Sequence, residues 1–268
     1  MSKDLQGHRA RKRFGQNFLH DPNIIGRIVR SIAPQPGESL VEIGPGLGAL
    51  TAPLVAGAGF LDVIEIDRDL APRIAERFGK QVEVHEADAL KFDFAALAQQ
   101  RGRRLRVVGN LPYNISTPLV FHLLENAGHI ADMHFMLQKE VVDRMGAAAG
   151  DDDYGRLSVL LQYRCRVEPL FTVPPEAFSP RPKVHSAIVR LLPQSPAHPA
   201  RDEALLYRLV TQAFSQRRKT LRNALRTMLD EAGIAGCGID PAVRPEMLTV
   251  AQFVTLADAA ARALPSSA

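Results

Sequence analysis

The chain has 268 residues, 46% of them apolar and 23% charged, with a formal net charge of +4. That length holds one large domain, or a large one and a small one, and the composition is that of a globular chain rather than a disordered one. The two cysteines exclude a disulfide framework, the eight histidines show no ligand spacing so no metal is assigned, and no run approaches the ~18 apolar residues of a membrane span. The N-terminus lacks the apolar core of a signal peptide. A reducing, cytoplasmic setting is therefore expected, with no membrane contact. No dimer seam is legible, so a monomer is expected.

In chain order, ESLVEIG (38–44) is a short apolar strand entering glycine, and LGALTAPLVAGAG (47–59) is a helix of small residues. FLDVIEID (60–67) is a second strand, followed by helix RDLAPRIAERFG (68–79). QVEVHEAD (81–88), LRVVGN (105–110) and MHFMLQ (133–138) continue the strands. TPLVFHLLENA (117–127) and KEVVDRMGAA (139–148) are helices. Strands alternating with helices predict an α/β fold with a parallel, doubly wound sheet. After about residue 150 the pattern changes. YGRLSVLLQYRC (154–165) reads as a helix, and VEPLFTV (167–173) and KVHSAIVRLL (183–192) as late strands, antiparallel in expectation. The proline-rich PQSPAHPARD (193–202) marks a linker. Beyond it EALLYRLVTQAF, KTLRNALRTMLDEAG and TVAQFVTLADAAARAL carry only helical periodicity. The expected division is a sheet domain over 1–195 and a small helical domain over 196–268.

Positive charge is placed unevenly. Residues 1–30 carry seven basic side chains against two acids, RGRRLR (101–106) carries four arginines, and QRRKTLRNALR (216–226) carries five basic residues and no acid. Any one cluster reads equally well as a solvated face. Three in one chain point to a nucleic acid, whose phosphates they would neutralise.

The chemistry-bearing motifs fall at strand ends, where open α/β sheets bind ligands. Gly44, Gly46 and Gly48 follow the first strand and allow a sharp turn with close backbone approach to a ligand. Glu65 ends the next strand and suits the two hydroxyls of a ribose. Asp88 ends the third and suits the exocyclic amine of an adenine. A ligand-free strand-to-helix turn is the alternative reading of the glycines. The Gly-x-Gly-x-Gly spacing and the lack of a Walker-type Lys-Ser/Thr turn the reading away from dinucleotides and triphosphates and toward an S-adenosylmethionine pocket. Asn110-Leu111-Pro112-Tyr113 follows the fourth strand. This motif resembles that of methyltransferases acting on exocyclic amines, and the resemblance implies that the Asn110 side-chain oxygen and the Leu111 carbonyl accept the two N–H bonds of an adenine N6. Pro112 stiffens the loop, and Tyr113 offers a flat face to an extruded base.

These residues carry a resemblance. The motif Asn-Leu-Pro-Tyr is similar to the Asn/Asp-Pro-Pro-Tyr/Phe motif of methyltransferases acting on exocyclic amines. RKRFGQNFLHD (11–21), VEIGPGLGALT (41–51), VIEIDRDL (63–70), EADALKFDF (86–94), VGNLPYNISTPL (108–119), MLQKEVVDRM (136–145), FSPRPKVHSAIVRL (178–191) and AFSQRRKTLRNAL (213–225) together extend it over essentially the whole chain. The chain resembles the small-subunit ribosomal RNA adenine N6,N6-dimethyltransferases. The resemblance implies a Rossmann-like methyltransferase sheet with a small C-terminal all-helical domain, S-adenosylmethionine as methyl donor, and small-subunit ribosomal RNA in an assembling particle as partner. The product would be two neighbouring dimethylated adenosines near the 3′ end of that RNA. It also implies that Asn17 and Leu19 close over the cofactor, that Asn110 serves cofactor and target, and that Phe178 stacks the target base opposite Tyr113. From the residues alone, Asn17 and Leu19 belong to a capped loop before a helix, and Phe178 to the core. Arg217, Arg218, Lys219, Arg222 and Arg226 are expected to grip RNA phosphates. The large-subunit methyltransferases that confer macrolide resistance share the catalytic layout, but FSPRPKV and AFSQRRKTLRN look more like the ribosome-assembly group. A non-catalytic assembly factor on the same fold is the rival of a different class.

Overall fold

A computed structural model describes residues 17–216 and 218–263. The strands are β1 (Phe18–Leu19), β2 (Ser39–Ile43), β3 (Leu61–Glu65), β4 (Val82–Glu86), β5 (Leu105–Asn110), β6 (Ile130–Gln138), β7 (Cys165–Val173), β8 (Phe178–Ser179) and β9 (Ser186–Pro193). The helices are α1 (Pro22–Ile32), α2 (Thr51–Ala58), α3 (Ala71–Phe78), α4 (Phe94–Arg101), α5 (Ser116–Glu125), α6 (Lys139–Gly146), α7 (Arg156–Arg164), α8 (Glu203–Ala213), α9 (Leu221–Leu225), α10 (Glu231–Gly236) and α11 (Val250–Ala263). No helix among the described residues is long and apolar enough to cross a membrane.

The chain forms two compact units. The first holds the described residues up to Val142 together with Glu168–Pro193, and the second holds Asp143–Val167 and the described residues from Gln194 onward. Composition alone predicts one break, near residue 195. The structure breaks between 193 and 194, and also assigns 143–167, including α7, to the helical unit.

The first unit is built on a seven-stranded sheet in the order β4-β3-β2-β5-β6-β9-β7. β2 pairs parallel with β3 and β5, β3 with β4, and β5 with β6, whereas β9 runs antiparallel to β6. Residues of β2 and β3 are buried along their whole length, the polar Ser39, Glu42, Asp62 and Glu65 included, so the strands read as largely apolar runs without strict alternation. Fully burying one such aliphatic side chain contributes about 1.5–3 kcal/mol. Strand order reverses at β2. The chain runs outward through β3 and β4, then returns to lay β5 on the other side of β2, and such a switch point leaves a crevice at the strands' carboxyl ends.

α1 opens with Asp21 as its cap. The carboxylate accepts from the amides of Asn23 (2.8 Å) and Ile24 (3.2 Å), with Pro22 in the first turn, where its missing N–H costs nothing. α1 carries Ile28 and Ile32 into the core cluster with Leu40, Leu54 and Val108.

The helical unit packs α7, α8 and α11 around Leu206, Leu209, Phe253 and Leu256, all buried. Tyr154 is buried there, and its hydroxyl donates to the Leu248 carbonyl at 2.8 Å. Periodicity over 219–233 predicts one helix, but the structure contains two short ones. The apolar stripe is right, since Leu221, Ala224, Leu225 and Leu229 are all buried. α9 ends at Leu225, whose carbonyl accepts from the Met228 and Leu229 amides in a closing turn, and Asp230 caps a new helix by accepting from the Gly233 amide at 2.8 Å.

Candidate active site at the switch point

β2 delivers its chain into the loop 44–50. Gly44, Gly46 and Gly48 all have positive φ, at 66°, 58° and 79°. A Cβ on Gly46 would also stand 3.1 Å from the Phe18 ring, so the second glycine is required twice, by conformation and by space. The loop is fixed by the Gly44 amide donating to the Ile64 carbonyl (2.9 Å) and by Arg77 donating to the Leu47 carbonyl (2.8 Å). α2 therefore begins at Thr51, later than small-residue composition implies.

A cavity of about 300 Å³ lies against this loop. It is lined by Asn17, Leu19, Gly44, Gly46, Glu65, Asp88, Asn110, Pro112 and Tyr113 among the residues expected from sequence. Glu65 ends β3, is buried, and accepts from the Asp67 amide at 2.8 Å; burial pushes its carboxyl up. Asp88 stands two residues past β4 and accepts from the Leu90 amide at 3.0 Å. Asn110 ends β5, and its side-chain Nδ2 donates to the Asn17 carbonyl at 3.0 Å. That contact takes one of the two amide N–H donors and fixes the side chain's orientation, with Oδ1 as its acceptor end.

Three expected residues stand elsewhere. Gly48 does not line the cavity; its Cβ position faces the Phe78 ring at 3.1 Å. Leu111 is 1% exposed and does not line the cavity; its side chain belongs to the core, and its amide donates to the Met136 carbonyl at 3.2 Å. Phe178 is likewise buried in the core cluster, paired through β8 with Leu19 of β1. Of the residues expected to grip RNA, Arg217 lies outside the described residues. Arg218, Lys219 and Arg226 flank α9 with no ion pair among the described residues, and Arg222 pairs with the exposed Glu231 at 3.2 Å.

Of the lining residues that sequence reasoning did not single out, two matter most here, Phe18 and Glu42. Phe18 is held in place by β1, a strand too short to leave a periodic signal. Glu42, in the middle of β2, is 2% exposed and lines the cavity. Its Oε2 accepts from the Thr51 hydroxyl at 2.6 Å, and burial pushes its carboxyl up to about 7, with the neighbouring Glu65 adding to the rise. An acid inside an apolar strand was the available signal, since such a residue is rarely buried without a task.

The cavity thus holds two buried carboxylates, Glu42 and Glu65, with no cation paired to either among the described residues. It suits a ligand rich in hydroxyl and N–H donors and carrying positive charge. One cluster elsewhere, Asp62, Glu83 and His85, brings together groups able to ligate a metal. There Arg101 donates to Asp62 at 2.6 and 2.8 Å and to Glu83 at 2.7 Å, so the acceptors are already taken by a guanidinium.

The chain matches the ribosomal RNA adenine dimethylase family over residues 7–262. It is 59% identical over 258 residues to ribosomal RNA small subunit methyltransferase A of Pseudomonas aeruginosa, covering 95% of this chain and 96% of that one. It is 62% identical over 254 residues to the protein of the same name in Aromatoleum aromaticum, covering 94% of each. Among solved structures it is similar to a dimethyladenosine transferase from Plasmodium falciparum, with a TM-score of 0.73, 27% identity and coverage of 89% of this chain and 95% of that one. It is also similar to the 23S rRNA methyltransferase ErmE, with a TM-score of 0.71, 26% identity and coverage of 91% and 99%.

Proposed function

The chain belongs to the ribosomal RNA adenine dimethylase family, and from that premise we propose that it methylates N6 of two adjacent adenosines near the 3′ end of small-subunit ribosomal RNA, giving N6,N6-dimethyladenosine during assembly of the subunit. S-adenosylmethionine, when bound, supplies a methyl group already activated by its sulfonium. Glu65 takes the ribose hydroxyls, Asp88 the adenine amine, and the backbone of Gly44 and Gly46 allows the amino-acid portion to lie close. The cation-free carboxylates of Glu42 and Glu65 and the cavity volume of about 300 Å³ support this fit.

The observation that carries the catalytic reading is the Asn110 amide, tied by its Nδ2 to Asn17 and lining the same cavity as the carboxylates. An adenine N6 is a poor nucleophile because its lone pair is delocalised into the ring. Asn110 Oδ1 and the Leu111 carbonyl accept the two N6–H bonds, which pulls the nitrogen toward tetrahedral geometry and aims its lone pair. Pro112 restricts the loop, and Tyr113 stacks on the extruded base. These groups are held in place before substrate arrives, so positioning and electrostatics carry the rate and no side chain need first remove a proton.

The test is tritiated methyl transfer to small ribosomal subunits lacking the modification, followed by nucleoside analysis. The expected result is N6,N6-dimethyladenosine on small subunits and none on large ones, with Asn110→Ala lowering the rate about 10²–10³-fold. Label on large subunits alone would move the chain's activity toward that of its 23S-directed structural relative. No label on any RNA, with cofactor still bound, would leave an assembly factor.

A further inference from the structure

We infer that Ser186 is a positioning residue for the methylation reaction, setting the tilt of the Tyr113 ring and thereby governing the second methyl transfer more than the first. The inference rests on the reading above that Tyr113 carries the target base.

Tyr113 is held at both ends. Its backbone carbonyl accepts from the Ser116 hydroxyl at 3.1 Å, at the first turn of α5. Its own hydroxyl lies 3.1 Å from Ser186 Oγ, across 73 residues of sequence. Ser186 is 1% exposed, so its hydroxyl is shielded from bulk solvent and depends on a protein partner. Its backbone is equally fixed. Ser186 opposes Gln138 in the β6–β9 ladder, and the preceding His185 carbonyl accepts from the Lys139 amide at 2.9 Å. β6 in turn pairs with β5, where Met136 opposes Asn110. The acceptor amide and the anchor of the ring are thus set on strands of one continuous ladder, while the ring itself sits on the cavity wall.

A tether at the far end of a tyrosine ring restricts the torsions that tilt its face. The consequence differs between the two transfers. An unmodified N6 offers two N–H donors to Asn110 and Leu111. After one methylation it offers one, so orientation of the amine depends more on the stacked ring. A loosened ring therefore releases the singly methylated base more readily before it is presented again.

The experiment measures N6-methyladenosine and N6,N6-dimethyladenosine on small subunits lacking the modification, with Ser186→Ala, Ser186→Thr, Tyr113→Phe and the Ser186→Ala/Tyr113→Phe pair. Loss of one buried hydrogen bond corresponds to about a five- to tenfold change. The expected result is a rise of that order in the mono- to dimethyl ratio for Ser186→Ala, recovery toward the original ratio in Ser186→Thr, and no greater effect in the pair than in either single variant. Cofactor affinity is expected to hold, and the melting temperature to fall by no more than about 2–4 °C. An unchanged ratio in Ser186→Ala, or effects of the two changes that multiply in the pair, would overturn the tether. A Tyr113→Ala protein is assayed alongside, and full activity in it would instead overturn the stacking role of the ring, and the tether with it.

Discussion

Two basic stretches look alike in sequence and differ entirely in the folded chain. Every arginine of 101–106 has a partner inside the first unit, carboxylates for Arg101 and Arg106 and backbone carbonyls alone for the exposed Arg103 and Arg104. Arg101 bridges Asp62 and Glu83, Arg103 and Arg104 donate to the carbonyls of Gly37 and Ile130, and Arg106 binds Asp132, Glu38 (2.6 Å) and the Ile32 carbonyl (2.7 Å). In the second stretch Arg218, Lys219 and Arg226 have no ion pair among the described residues, and Arg222 has a single exposed one. No acid occurs between residues 204 and 229. A run of positive charge therefore says nothing about phosphate until its internal partners are known. Arg101 and Arg106 are part of the sheet's own electrostatics, Arg103 and Arg104 are exposed and meet only backbone carbonyls, and the second stretch is almost free of internal partners.

Substitutions sharpen that contrast, beginning with the largest effect. Arg106→Leu leaves Asp132, which is 6% exposed, with Arg190 at 3.6 Å as its remaining arginine partner. A stability loss on the order of 3 kcal/mol is expected in urea unfolding, because a buried charge loses its closest cation. RNA affinity of the protein that remains folded should not change. If affinity falls instead, the first stretch also touches RNA and the contrast breaks.

Glu42→Gln tests the opposite case, a buried charge that has no cation to spend. The carboxyl is raised from 4.5 to about 7, so the folded state holds a proton that the unfolded state has already lost. Its ionisation costs stability increasingly as pH rises through that window, and the cost is complete above it. Glu42→Gln should raise the stability of the cofactor-free protein at pH 8 by roughly 3 kcal/mol, with the gain vanishing near pH 4. A gain independent of pH would assign the effect to packing.

The smallest effect in free energy is expected for the second stretch. Replacing Arg218, Lys219, Arg222 and Arg226 by Gln should leave the melting temperature within a degree or two, since exposed charges contribute little to stability. It should flatten the dependence of particle binding on salt by about 0.7–0.9 in slope for each phosphate that is no longer neutralised. An unchanged slope would remove these residues from the RNA interface.

Much of the catalytic unit is legible in sequence because its strands are buried on both faces and end in punctuation. VEIG, VIEID and RVVGN announce themselves as apolar runs closing on Gly, Asp or Asn, and the ligand-facing residues occupy those ends. What is not legible depends on chain segments distant in sequence. β1 and β8 are two residues each and exist only because they pair with one another. The orientation of Asn110 is set by a carbonyl far upstream at Asn17, and that of Tyr113 by a hydroxyl on β9. α4 begins at a cap formed by Asp93, in a stretch whose acids draw the eye away from its helical start. In the helical unit, periodicity places the apolar stripe of 221–229 correctly but cannot show that the ladder breaks beneath it.

The pairing of Phe18–Leu19 with Phe178–Ser179, reinforced by the His20 amide on the Ala177 carbonyl at 2.9 Å, joins an early segment of the chain to a late one. During synthesis the glycine loop, Glu65, Asp88 and Asn110 all precede the strand that secures the Asn17–Phe18 wall. A chain cut short after Ile115 but before β8 thus carries the cofactor-facing residues and leaves one side of the cavity without its anchor. Completion of the wall reports that translation has passed beyond the sheet's middle, so fragments from interrupted synthesis lack the full grip on the methyl donor.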